Sequence, residues 1–151
     1  MKRPTFRPLP PLIFLGAILL MWALNAWLPV LRLVPAPWNR LGIVLIAGGI
    51  AFGMWGASHF RRRQTALRPF TEAAQLVTDG PFRISRNVMY LGLGIALAGF
   101  ALLFGSLSPW LALPLYVWAI QTCVIRVEEE MLDAKFGPAF AQYKSQVRRW
   151  L

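Results

Sequence analysis

The sequence predicts an all-α integral membrane protein with about four transmembrane helices and a broken amphipathic helix at its C-terminal, cytoplasmic end. Three observations predict it: four long apolar runs, a composition too apolar for a soluble domain, and a segregation of charge into alternate connections. The chain of 151 residues is 57% hydrophobic and 15% charged, with a mean hydropathy of +0.52. A soluble domain of this length has too little interior to hide that much apolar surface. Lipid is the remaining solvent, and one domain over residues 1–151 is the natural reading.

A span needs about 20 predominantly apolar residues. Leu12 to Leu31 meets this, with Asn25 as its one strongly polar residue. Met1-Lys2-Arg3 ahead of it suggests a signal peptide, but the apolar run is too long and lacks a small-x-small cleavage site, so it reads as a retained first span. Val34-Pro35-Ala36-Pro37 turns the chain, and Trp38 suits the membrane interface. Leu41 to Phe60 is the second span, where Gly49 and Gly53 form a GxxxG pair suited to close helix packing. Val88 to Phe104 is the third, and Trp110 to Ile125 the fourth, with Pro114 expected to kink it. Gly105-Ser106-Leu107-Ser108-Pro109 joins the last two as a tight hairpin.

Charge sorts these connections onto two sides. All of the sixteen Lys and Arg residues except Arg32 and Arg40 fall before Leu12, between Arg61 and Asn87, or after Ile125. The six acids, Glu72, Asp79, Glu128, Glu129, Glu130 and Asp133, lie on that side too. By the positive-inside rule both termini are cytoplasmic, in a membrane of the bacterial inner, or plasma, type. Arg61-Arg62-Arg63 reads as an anchor beside anionic headgroups, and Thr71 to Leu76 as a short helix. At the C-terminus Leu132, Phe136, Phe140, Tyr143, Val147 and Trp150 recur every three or four residues. Gly137-Pro138 divides that pattern into helices over 128–136 and 138–150, lying on the membrane or capping the spans.

The net charge of +10 raises nucleic acid as a partner. The apolar runs assign those basic residues to membrane topology instead, so no nucleic-acid partner is expected. Cys123 and His59 are the sole members of their types, which excludes an intrachain disulfide and leaves a metal site or a Ser-His-Asp triad without a matching cluster. Cys123 reads as an apolar filler. His59, at a span end with no partner nearby in sequence, reads as an interfacial residue.

Two clusters stand out on the cytoplasmic side. The first, Gly80-Pro81-Phe82-Arg83-Ile84-Ser85-Arg86-Asn87-Val88-Met89-Tyr90-Leu91-Gly92, joins a tight turn, two arginines, an amide and a tyrosine where the third span begins. The second, Arg126-Val127-Glu128-Glu129-Glu130, lies where the fourth span ends. A hairpin of the last two spans brings both to one end. An arginine fork beside paired carboxylates can hold a zwitterion, the guanidinium taking a carboxylate and a glutamate taking hydroxyls or a cation. Headgroup anchoring by the arginines, with the acids pairing to them, explains the same residues without a ligand.

These stretches resemble a known family. Gly80 to Gly92 looks like the "GPYR-x-x-R-[HN]-P-x-Y-x-G" signature of the isoprenylcysteine carboxyl methyltransferase and phospholipid methyltransferase group. Glu128-Glu129-x-x-Leu132-x-x-x-Phe136-Gly137-x-x-Phe140-x-x-Tyr143 resembles its closing "EE-x-x-L-x-x-x-FG-x-x-[YF]-x-x-Y" pattern. The resemblance covers roughly Leu41 to Leu151. It implies an integral membrane methyltransferase that uses S-adenosylmethionine (SAM) and a lipophilic or lipid-linked acceptor entering from the bilayer. Carried over by position, Gly80, Pro81, Arg86, Asn87, Tyr90, Gly92, Glu128 and Glu129 would bind the cofactor, and Arg83 and Arg86 would orient the reacting groups. Gly48 and Gly49 correspond loosely to a glycine-rich cofactor contact of the phospholipid enzymes. Val88 departs from the family's proline, which would stiffen the entry to the third span. A non-catalytic membrane module of the same fold, acting as a subunit or lipid binder, is the alternative. A nicotinamide-dependent reductase of the sterol-reductase type ranks last, because the chain is short for it. Nothing in the sequence bears on oligomeric state.

Overall fold

The computed structural model describes residues 9–63 and 75–151. Helix α1 (Pro10–Trp27) opens on its own proline, which suits a first turn whose amides have no helical acceptor. A 3₁₀ turn, Trp38–Arg40, leads into α2 (Leu41–Arg62). Helix α3 runs from Val88 to Phe104 and stops at Gly105, whose φ of 77° is the left-handed cap geometry that glycine tolerates. A second 3₁₀ turn, Ser108–Leu111, opens α4 (Ala112–Ile120), and a π turn over Gln121–Ile125 carries it straight into α5 (Arg126–Phe136). Gly137, at φ 46° and ψ −116°, breaks the helix before α6 (Pro138–Gln146).

The result is an all-helical membrane fold. α1 with 18 residues, Trp38–Arg62 with 25 and Ser108–Phe136 with 29 are long and apolar enough to cross a membrane. Helix α3 has 17 residues, about 25 Å at the α-helical rise, and packs against the other three. The outward faces of α1, α2, α4 and the 3₁₀ turn before α4 expose Leu12, Leu19, Trp22, Val44, Met54, Leu111 and Trp118, an apolar girdle that lipid would cover.

The tightest packing is between α2 and α3. Gly42, Gly49 and Gly56, spaced seven apart, form the buried stripe of α2. A Cβ on Gly49 would stand 2.5 Å from the Gly92 carbonyl oxygen and 2.6 Å from the Ala96 nitrogen. These backbones therefore touch, as a small-residue stripe allows in lipid, where packing rather than water exclusion drives association. α1 packs on α3 and α4, and Met21, Tyr90, Leu97, Tyr116 and Ile120 fill the space between. At the opposite end from the charged clusters, the α1–α2 connection is hydrogen-bonded to the α3–α4 turn. The Leu33 N–H donates to the Gly105 carbonyl at 2.8 Å, and the Leu107 N–H to the Val30 carbonyl at 2.9 Å.

Three expectations need correction. The fourth span and the first cytoplasmic helix form one continuous rod, because the π turn re-registers the backbone hydrogen bonds without ending them. Pro114 falls in the first turn of α4, directly after the 3₁₀ turn, and the departure from α-helical hydrogen bonding within the span lies at Gln121–Ile125. The last helix ends at Gln146 rather than residue 150, since Val147 is extended and the following carbonyls bond to the turn before α3. The helix expected over Thr71–Leu76 falls, but for its last two residues, outside the described residues, as does Glu72.

Candidate functional site

The turn into α3 is built from Asp79 onward. Gly80 has a φ of 59°, and a Cβ there would lie 2.7 Å from the His59 ring, so both its conformation and its surroundings demand glycine. Pro81 is fully buried and starts a 3₁₀ turn over Gly80–Arg83. That turn sets Phe82 edge-on to Phe60 at 4.8 Å, and the Tyr143 hydroxyl donates to the Phe82 carbonyl at 2.7 Å. Val77, Phe82, Val88, Phe140, Tyr143 and Val147 close into one apolar cluster, with Leu132 and Phe136 against it. The amphipathic C-terminal pattern thus serves to cap the ends of α2 and α3. Val88, in the family's proline position, is fully buried against Gly56 and is the first residue of α3, where no amide acceptor is required.

His59 is not without a partner: its Nε2 lies 3.3 Å from Asp79 Oδ2, and Arg63 pairs with the same oxygen. Burial raises the Asp79 carboxyl, but the adjacent His59 and the hydrogen-bonded Arg63 outweigh it and hold the group below its ordinary value.

One ion pair and one hydrogen bond join the first cluster to the second. Arg86 Nη1 lies 3.1 Å from Glu129 Oε1, and the Tyr90 hydroxyl donates to Glu128 Oε1 at 2.8 Å. Tyr90 is itself placed by Tyr116, whose hydroxyl donates to the Tyr90 carbonyl at 3.0 Å. Arg86 is mostly buried, its side chain 12% exposed, beside a Glu129 that is 16% exposed. The Arg86–Glu129 approach is not aligned as a hydrogen bond. Nε and Nη1 of Arg86 are buried and lack a hydrogen-bond partner among the described residues. A buried guanidinium with two idle donors is an expensive arrangement unless an acceptor completes it.

The C-terminal segment, missed by sequence reasoning as a site element, closes this junction. Arg149 donates from Nε to Glu129 Oε1 at 3.0 Å and from Nη2 to Oε2. Its carbonyl accepts from Ser85 Oγ at 3.1 Å and from Asn87 Nδ2 at 3.0 Å. The Arg86 N–H donates to the Arg148 carbonyl at 3.1 Å, and Trp150 Nε1 donates to Gln121 Oε1 at 3.2 Å, inside the π turn. The Glu129 hydrogen bond raises the Arg149 guanidinium, partly offset by burial. The only hint in the sequence is a basic pair at the chain end, opposite an acidic triplet; helical periodicity masked it.

The other candidates take different places. Arg83 is exposed and makes no ion pair among the described residues. Gly92 faces α2, where a Cβ would meet the Gly49 carbonyl oxygen at 2.5 Å, so its smallness serves helix packing rather than an open cavity. Gly49 is closed by the same contact, while Gly48 points into open space.

With the geometry in place, comparison with known proteins decides the family. The family model described as phospholipid methyltransferase matches residues 38–139. The chain belongs to this family. The matched region contains both clusters, the whole of α2 through α5, and the break at Gly137. The family is one of SAM-dependent methyltransferases, in agreement with the resemblance of the two motifs. An uncharacterized protein of Haemophilus influenzae is 38% identical over 63 residues, which is 42% of this chain and all of that protein. No solved structure matches the chain significantly.

Proposed function

We propose that this protein transfers a methyl group from SAM to a lipophilic or lipid-linked carboxylate or amine at the cytoplasmic face of the membrane. One observation carries the reading: Arg86, buried beside Glu129, with Nε and Nη1 making no hydrogen bond among the described residues. A ligand carboxylate would take a charge-assisted hydrogen bond from this guanidinium, which fits the amino-acid end of SAM. Bound there, the cofactor supplies an electrophilic methyl carbon on a sulfonium.

The chain's own residues bind and orient. Arg86 takes the carboxylate. Glu128, anchored through one oxygen by Tyr90, offers the other to ribose hydroxyls or an ammonium. Glu129 has both oxygens engaged by guanidinium groups, so it steadies Arg86 rather than reaching the ligand itself. Asn87 and the Gly80–Pro81 turn shape the wall, and exposed Arg83 suits an anionic acceptor arriving from the headgroup layer. Most of the acceleration expected of such a site is positioning and exclusion of water. A carboxylate acceptor needs no general base; an amine must lose its proton first.

Calorimetry in detergent tests the reading. Micromolar SAM binding that disappears in Arg86→Ala supports it. A folded protein indifferent to SAM favours a non-catalytic lipid-binding module, and tight NADPH binding a reductase. Incubation of membranes with methyl-labelled SAM, followed by lipid extraction, identifies the acceptor.

A further inference from the structure

We infer that Arg149 is a positioning residue of this site, holding Arg86 and Glu129 in the geometry that receives the cofactor; the inference rests on the methyltransferase reading above. Arg148 and Arg149 of the tail tie the turn before α3 to α5, beside the polar Arg86–Glu129 and Tyr90–Glu128 contacts and the apolar packing of Leu132 and Phe136. Arg149 works from both of its ends. Its guanidinium grips both oxygens of Glu129 on α5, and its carbonyl accepts from Ser85 and Asn87 in the turn before α3. Ser85 is fully buried, so the anchor is not a surface contact that solvent would replace.

The electrostatics point the same way. Glu129 carries one negative charge between two guanidinium groups. Arg149 takes the directed hydrogen bonds to it, while Arg86 lies alongside without one. Arg86 Nε and Nη1 therefore remain without a hydrogen bond among the described residues. If Arg149 were absent, Glu129 would be free to swing onto Arg86 and consume them. Arg149 thus keeps the carboxylate occupied, while the Arg148 carbonyl holds the Arg86 N–H and the Arg149 carbonyl holds the flanking Ser85 and Asn87 side chains. The residue touches no reacting atom; it acts through Glu129 and the Ser85–Asn87 turn.

Trp150 provides the control. It docks the same tail through Gln121, away from Glu129. Arg149→Ala, Arg149→Lys and Trp150→Phe are to be compared for SAM affinity by calorimetry and for Tm in detergent. Removing a charged hydrogen bond at this spot should weaken SAM binding about tenfold or more. Arg149→Lys should recover most of that loss, because a cation again occupies Glu129. Trp150→Phe should lower Tm yet leave SAM affinity within about twofold. Wild-type affinity in Arg149→Ala overturns the inference, as does an equal loss in Trp150→Phe, which would reduce the effect to tail docking. A wild-type protein that binds no SAM removes the methyltransferase reading itself, so the two failures are distinguishable.

Discussion

Tyr143 carries a phenol into the apolar cluster and spends its proton on the Phe82 carbonyl. Burial pushes its pKa up to about 12, against an ordinary value near 10, with nearby Arg86 pulling the other way. The unfolded chain therefore ionises this group before the folded one does. Stability tied to Tyr143 is intact below about pH 10 and declines as pH rises towards 12. Thermal unfolding in detergent at stepped pH should show that decline, and Tyr143→Phe should flatten it. The same variant should lose about 1 kcal/mol at neutral pH, the usual net worth of such a hydrogen bond. At this scale the sequence was a good guide to identity but a poor one to partners. Arg86, Asn87, Tyr90, Glu128 and Glu129 converge on one junction, yet which oxygen meets which donor depends on a tail residue some twenty positions after Glu129. Asp79 shows the same limit: His59 has no neighbour in sequence to pair with, and folding supplies one.

At the scale of helices, α2 and α3 offer a paired test. Gly49 sits where a methyl group would collide with backbone atoms of α3, whereas Gly48 faces open space. Gly49→Ala should therefore force the helices apart and cost about 1–3 kcal/mol, the range for overpacking. Gly48→Ala should be neutral or stabilising by up to about 1 kcal/mol, through helix propensity. Equal Tm values for the two variants would refute the assignment of the buried stripe. Apolar periodicity and the Gly105 stop located α3 to the residue, because its ends are marked by a turn and by a left-handed glycine. The α4–α5 junction was not legible, since a π turn leaves no compositional trace. Nor was the extended tail, because the apolar spacing of Tyr143, Val147 and Trp150 suits a helix as well as a strap.

For the molecule as a whole, the segregation of Lys and Arg predicts that both termini share one side with the charged junction. Alkaline phosphatase fused after Leu151 in a bacterial host should be inactive, and fused after Leu107, in the uncharged α3–α4 turn, active. The reverse pattern would invert the topology and move the proposed site to the other face. A related expectation is that Glu128→Gln weakens SAM binding while leaving this topology intact, since loop charge, not a single buried acid, sets orientation.

By itself the sequence determined that the protein lives in lipid, that its helices are few, and that its reactive residue types gather at two span ends. Those properties follow from local chemistry: apolar runs long enough to cross a bilayer, turn residues, and like charges kept to one side. Only the tertiary structure decided that Arg86 reaches Glu129, that Gly92 belongs to helix packing, and that Arg149 returns from the chain end to join the two halves. Such pairings are long-range, and a charge in a sequence carries no record of which opposite charge the fold will bring to it.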